Sequence, residues 1–327
     1  MATPQAWRAV FRTGTAPGLR RRPSRPPLAT SLPKLGFPGM PELPDVVLYL
    51  EALERFVGGR TIERARVMSV SLLRTFDPPV HETEGRRVLG FRRMGKRIVW
   101  ELEDELFMVF HLMIAGRFRW RKRGSTPPRK TGHAAFDFDH GTLVLTEQGS
   151  KKRTSLHIHR GRKELVGHDR GGVEPLEVDL ARFREALLRE NRTLKRALTD
   201  PRLFSGIGNA YSDEILHRAG LSPVRLTRRL TDSEVERLRH ATRSSLVEWV
   251  DRLRAEVGEG FPEKVTAFRP EMAVHGKFGH SCPACGEPVR RIVYASNETN
   301  YCAGCQTGGK VLADRALSRL LKDDWPR

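Results

Sequence analysis

The chain has 327 residues, enough for two or three domains that each bury a core of their own. Its 58 lysines and arginines stand against 39 acidic residues, a formal charge of +19, and a surplus of that size points to a polyanion, with nucleic acid the leading partner class. No run approaches 18 consecutive apolar residues, the length a helix needs to cross a bilayer.

Residues 1–39 differ from the rest. They carry seven cations (Arg8, Arg12, Arg20, Arg21, Arg22, Arg25 and Lys34), many prolines and no acidic residue, so they cannot build a core. The composition is that of a transit peptide, but the proline density argues against one amphipathic helix. A disordered basic extension, or a start codon assigned upstream of the true one at Met40, fits better. Without this segment 51 basic and 39 acidic residues remain, so the cationic excess belongs to the folded part.

From Asp45 the apolar positions Val46, Tyr49, Leu50, Leu53 and Val57 follow helical spacing, with Pro44 and Asp45 as entry signal and Gly58 and Gly59 as stop. Short β-rich segments follow at Val88–Phe91, Arg97–Glu103, Leu106–Met113 and Phe118–Arg121. Ala135 to Thr146 alternates apolar and polar residues around His140 and Gly141, a hairpin signal, and His157 and His159 alternate on a further strand as face residues. Strands with little helix between them suggest a sandwich or barrel-like domain over residues 40–172. After Gly171, Gly172 and Pro175 the pattern turns helical, near Leu180–Glu190, Thr193–Thr199, Ala210–Ala219 and Asp232–Glu256, which makes residues 173–273 an α domain. A Gly- and Cys-containing module over 274–306 comes next, then a tail over 307–327 in which Val311–Leu321 could form one last helix.

All four cysteines lie in that module, as Cys282-Pro-Ala-Cys285 and Cys302-Ala-Gly-Cys305 with sixteen residues between the pairs. Two CxxC knuckles joined by a hairpin-sized loop can place four thiolates tetrahedrally around one zinc ion. Disulfides or a redox pair are the alternatives, with little support in a basic chain without other cysteines. Four protein ligands leave no open coordination position, so one structural zinc is expected, supplying much of the ribbon's folding free energy. Arg290, Arg291 and Lys310 could face phosphate there, or form an ordinary solvated face.

The β domain opened by Met40-Pro41-Glu42-Leu43-Pro44-Asp45, the Gly206-Ile207-Gly208-Asn209 segment in the helical region and the C-terminal CxxC-x16-CxxC together resemble the formamidopyrimidine-DNA glycosylase and endonuclease VIII family, over residues 40 to about 306. The resemblance implies an α+β, multidomain fold: a two-layer β-sandwich with flanking helices, a helix-two-turn-helix domain and a C-terminal zinc ribbon, with damaged double-stranded DNA held between the lobes. It implies a monomeric bifunctional glycosylase and abasic-site lyase of base excision repair, working in a bacterial cytoplasm at the nucleoid. The family's nucleophile, an N-terminal proline amine, falls on Pro41. A terminal amine titrates near 7.7 to 8.0 in model compounds, so part of it is neutral and nucleophilic at physiological pH without special burial. Glu42 matches the family's proton-transferring glutamate; it could also simply hold a helix N-terminus. Lys96 matches its β-hairpin lysine beside the lesion phosphate, Asn209 its phosphate-binding asparagine and His133 a DNA-contacting histidine. The helix starting near Ala210 is expected to offer free N–H groups to a phosphate.

The chain departs from the family pattern in several places. Pro41 can attack only with a free nitrogen, because an amide nitrogen has no available lone pair; with residues 1–39 attached it cannot. The hairpin arginine of the family aligns with Asn297, which carries no charge. A DPRRF-type loop that probes the opposite strand is replaced by Glu147-Gln148-Gly149-Ser150-Lys151-Lys152-Arg153. His111-Leu112-Met113-Ile114 replaces HLGM, leaving Met113 or Ile114 to fill the hole left by a flipped nucleotide. A non-catalytic damaged-DNA-binding protein on the same scaffold is the rival reading. An RNA-binding zinc ribbon would leave the other two motifs unexplained.

Overall fold

The computed structural model describes residues 39–312 apart from 150, 264 and 295–296. The readings of residues 1–38 as an arm and of 313–321 as most of a last helix therefore lie outside the described residues.

Helix α1 (Leu43–Val57) starts two residues before the expected Asp45, because Pro44 fits the first turn and the Asp45 carboxylate accepts the Glu42 N–H at 2.9 Å. Ten strands follow in chain order: β1 (Arg64–Val67), β2 (Val88–Met94), β3 (Arg97–Leu102), β4 (Leu106–His111), β5 (Gly116–Arg121), β6 (Gly132–Phe138), β7 (Gly141–Glu147) and β8 (Ser155–Arg160) before the helices, then β9 (Val289–Tyr294) and β10 (Asn297–Cys302) after them. The first eight form two antiparallel four-stranded sheets, in the orders β1-β6-β7-β5 and β2-β3-β4-β8. Alternation decides which side chains meet: Ile98 and Trp100 of β3, Met108 and Phe110 of β4, Phe136 and Phe138 of β6 and Leu143 and Leu145 of β7 share one core between the sheets. Phe110 and Phe118 meet edge to face with centroids 5.2 Å apart.

The opposite pleat of the second sheet is buried as well. Val99, Phe107 and Val109 pack under Leu165 of a 3-10 turn at Arg162–His168. Strand β4 stops at His111 rather than at Met113, whose φ of 53° takes the backbone out of the extended region.

Beyond the sandwich lie α2 (Leu180–Leu188), α3 (Leu194–Thr199), α4 (Asn209–Arg218) and α5 (Asp232–Val257), the last opened by a capping box between Thr231 and Glu234. Phe183, Leu198, Phe204, Tyr211, Ile215 and Leu238 form their shared core. Helix α1 connects the two halves: Leu43 belongs to the helical core, whereas Val46, Tyr49, Leu53 and Val57 belong to the sandwich core. Strands β9 and β10 form a two-stranded ribbon followed by α6 (Ala303–Thr307). The fold is thus a β-sandwich, a helical domain and a C-terminal four-cysteine cluster consistent with a zinc finger. Among the described residues no helix is long and apolar enough to cross a membrane.

Candidate active site and nucleic-acid interface

Pro41 and Glu42 sit at the mouth of α1, where it meets the start of α4. The Leu43 N–H donates to Gly206 O at 3.0 Å, tying the two segments together. The Glu42 carboxylate accepts three backbone N–H groups, from Gly208 at 2.7 Å, Ala210 at 2.9 Å and Tyr211 at 3.2 Å. This is a helix N-terminus neutralised by an anion from another element. It corrects the expectation that α4 leaves these amides open for a phosphate: Glu42 takes them, and is itself fixed to 3% exposure beside Pro41.

Lys96 lies in the turn between β2 and β3. A Cβ added to Gly208 would come closer than 3.0 Å to both Lys96 Nζ and Glu42 Oε1, so ammonium and carboxylate crowd the same point, and only glycine leaves them room. Withdrawal from water pushes the Lys96 amine below the ordinary lysine value; Glu42 and Asp45 oppose that shift and Lys195 adds to it. Gly206, at φ +79°, makes the turn that brings the segment under Leu43. Arg93 supports the hairpin, donating to Gly95 O at 2.9 Å and Ser205 Oγ at 3.1 Å and pairing with Glu174. A cavity of about 260 Å³ opens beside these groups, lined among others by Met40, Lys96, Arg97, His111, Arg170 and Gly206. A groove of about 1060 Å³ along α5 holds none of them.

Asn209 opens α4 half-buried, its amide donating to Glu298 O of β10 at 3.0 Å. The same helix holds the ribbon through two acids that belong to no motif in the sequence. Asp213 takes Lys195 Nζ at 2.5 Å on one oxygen, and His275 Nδ1 at 2.8 Å and the Asn300 N–H at 3.1 Å on the other. Glu214 accepts the N–H groups of Ala273, Val274 and His275. Both carboxylates are buried, and the only hint in the sequence is an adjacent acidic pair at a position where helical spacing calls for packing.

Cys282, Cys285, Cys302 and Cys305 bring their sulfurs within 4.8 Å of one another, with 3.8 Å between Cys282 and Cys305 and 3.3 Å between Cys285 and Cys302. Four thiolates at zinc–sulfur distances of about 2.3 Å in a tetrahedron stand roughly 3.8 Å apart, so the donor set fits such an ion. His217 Nε2 lies 3.2 Å from Cys282 Sγ, placed to brace that sulfur from α4.

Two expected contacts fare differently. His133 is buried at 1% exposure, its Nε2 3.0 Å from the equally buried Glu147. That corrects the expectation of a DNA contact: the β6 pleat turns this imidazole inward, where burial lowers its pKa despite the facing carboxylate. Glu147 also accepts the Arg153 and Thr154 N–H groups, so it closes the Glu147–Arg153 loop instead of presenting it. Asn297 opens β10 opposite Tyr294, and its side chain lies outside the described residues. Of the two wedge candidates, Met113 is half-buried at positive φ, and Ile114 is 40% exposed.

Before Pro41, Gly39 is held on both sides. Its N–H donates to Thr266 Oγ1 at 3.1 Å and its carbonyl accepts Arg117 Nη2 at 3.1 Å.

Known proteins share this fold. The family models for the formamidopyrimidine-DNA glycosylase N-terminal domain and H2TH domain match residues 40–154 and 172–256. A formamidopyrimidine-DNA glycosylase of Thermus thermophilus is 35% identical over 286 residues, covering 83% of this chain and all of the relative. The solved Lactococcus lactis Fpg bound to DNA containing an abasic site superposes with a TM-score of 0.72 at 25% identity, over 81% of this chain and 99% of that one. The Lactococcus lactis complex with Fapy-dG-containing DNA gives 0.72 and 25%, over 81% and 100%. With both domains matched in order and relatives covered end to end, the chain belongs to the formamidopyrimidine-DNA glycosylase family.

Proposed function

We propose that the chain is a bifunctional DNA glycosylase and abasic-site lyase of base excision repair, with Pro41 as nucleophile once it is the first residue. The observation that carries this reading is the convergence of the Glu42 carboxylate and the Lys96 amine on Gly208, with that carboxylate carried by the residue next to Pro41 in the chain. The relatives are named glycosylases, and a solved neighbour holds abasic DNA.

In this reading the free Pro41 amine attacks the sugar carbon bearing the damaged base, and the base departs with the bonding pair and a proton. The sugar ring then opens as Glu42 passes a proton to its oxygen, leaving an iminium on Pro41. The iminium accepts the electrons released when a proton leaves the neighbouring carbon, and the 3′ phosphate is eliminated. Lys96 and Asn209 hold phosphates at the lesion and Ile114 fills the gap in the stack. A zinc ion on the four cysteines supplies no chemistry beyond rigidity: it fixes the ribbon that α4 grips through Asp213, Glu214 and Asn209. One chain carries every group invoked, which suits a monomer on damaged duplex DNA at the nucleoid of a bacterial cytoplasm.

The test is borohydride trapping on abasic DNA with protein starting at Pro41. A stable covalent adduct is expected, and none with Pro41→Ala carrying an acetylated N-terminus. Undiminished trapping by that blocked variant would remove Pro41 from the mechanism, and failure of the Pro41-start protein itself to form an adduct would favour the rival reading of a scaffold that only binds damage.

A further inference from the structure

The outer pleat of the second sheet ends in a group of imidazoles that the proposed reaction does not use. Val109 and Phe107 of β4 lie beside His157 and His159 of β8 in the strand register, so both histidines continue the face that Leu165 covers. His168, at the end of the Arg162–His168 turn, closes over them: its ring centroid stands 4.6 Å from that of His157 and 5.0 Å from that of His159. His159 Nε2 and His168 Nε2 are 2.8 Å apart, and His157 Nδ1 is buried without a hydrogen bond of ordinary geometry. A purely apolar satellite core needs no nitrogen here, whereas three converging imidazoles are a donor set for a transition metal.

We propose that His157, His159 and His168 form a second metal site, separate from the four cysteines, for a divalent transition ion of the nickel(II) or copper(II) class. Two imidazole nitrogens about 2.0–2.1 Å from one ion stand roughly 2.9 Å apart at a right angle and roughly 3.3 Å apart in a tetrahedron. The 2.8 Å between His159 and His168 matches the right angle, which tetragonal and octahedral ions take. Those two are the ligands in place, and His157 reaches the ion as the third once its ring turns. Burial, reinforced by the neighbouring imidazoles and arginines, pushes His168 down to about 4, and burial lowers His157 and His159 as well. All three are therefore neutral near physiological pH, the form that binds metal. The Glu164 carboxylate, the anion that acts on His159, offers an oxygen from the same turn. Arg74, Arg97 and Arg170 also act on the cluster and oppose a dication, so binding is expected to be weaker than at the cysteines.

The ion acts on the cavity beside Lys96. His168 and Arg170 line that cavity with Lys96 and His111, and Arg97 donates to His168 O at 3.3 Å. A metal joining β8 to His168 fixes the end of the turn and with it this wall. The inference is independent of which atom attacks DNA.

The untagged, zinc-loaded full chain, titrated calorimetrically with Ni2+, should take up one ion per chain while keeping its zinc, followed by elemental analysis. His159→Ala and His168→Ala should each weaken that uptake by at least the roughly 10- to 100-fold that losing an outer-shell partner already costs. His140→Ala, at an exposed histidine beside Asp139, should leave it unchanged. No uptake, uptake only at the expense of zinc, or parental affinity in both of the first two variants would overturn the proposal. If those variants fail to fold, the parent alone decides the matter. Ni2+ should protect its His159 and His168 from diethyl pyrocarbonate while His140 stays reactive, with the modified sites read by mass spectrometry; equal modification with and without Ni2+ would overturn the site. Amide exchange at Asp169 and Arg170 should slow with Ni2+, and unchanged exchange would refute the link to the cavity wall.

Discussion

Gly208→Ala is the most informative single change at the junction of α1, α4 and the β2–β3 turn. The backbone there, φ −134° and ψ −155°, is extended and open to any residue, so conformation costs nothing. Space is what fails: the new methyl falls closer than 3.0 Å to Glu42 Oε1 and Lys96 Nζ, where ordinary contact begins at 3.4 Å. Glu42 is anchored by three N–H groups, whereas Lys96 ends a flexible stem, so the lysine gives way by roughly 1 Å. Overpacking of this kind costs about 1–3 kcal/mol, and a displacement of that size at a reacting centre costs on the order of 100-fold in rate. Single-turnover cleavage of abasic DNA by Pro41-start protein, with urea unfolding alongside, should therefore show a large rate loss with a modest stability loss. Cleavage within threefold of the parent would refute the crowding of Glu42 and Lys96 at Gly208.

The other predictions concern the ribbon and the helix mouth. Asp213→Asn should destabilise by about 3 kcal/mol, because it removes the charge of a fully buried carboxylate from the half-buried Lys195, and should release the ribbon to proteolysis; an unchanged digestion pattern would contradict the anchoring. Cys285→Ser, or chelation, should unfold the ribbon and weaken DNA binding while leaving the sandwich and helical cores folded, with circular dichroism and mobility shift as readouts; normal affinity would deny the ribbon its role. Burial raises the Asp45 carboxyl from 3.8 to about 6. The folded state then keeps a proton that the unfolded chain has released, so stability falls as pH climbs through that window, by roughly 3 kcal/mol in all. Asp45→Asn keeps an acceptor for the Glu42 N–H and should flatten this slope in urea titrations between pH 4 and 7; an identical slope would place the proton elsewhere.

What can be read from the sequence is whatever depends on local periodicity or on a fixed chemical spacing. Val46, Tyr49, Leu53 and Val57 name a helix because one face has to be apolar, the β6–β7 hairpin declares itself by alternation, and two CxxC pairs name a four-thiolate cluster. What stays hidden depends on which distant element will face a side chain. Nothing around His133 says that β6 turns it towards Glu147, fourteen residues on. Asp213 and Glu214 read as surface acids until the ribbon folds back over α4 and its N–H groups need acceptors. Glu42 is legible as a candidate, but its closure of the α4 N-terminus joins residues 166 to 169 positions apart. Arg117 carries no signal of its own, since an arginine in a strand is usually solvated, and only the three-dimensional approach of Gly39 shows what it holds.

The central claim is that an unblocked Pro41 nitrogen forms the covalent bond to DNA. Protein purified from its native source should be reduced onto abasic DNA with borohydride, digested, and the cross-linked peptide sequenced by mass spectrometry. The account predicts a peptide that begins at Pro41 with the sugar remnant on its own nitrogen. A remnant on Lys96 or Lys195, or an adduct whose chain still carries Met40, would contradict it.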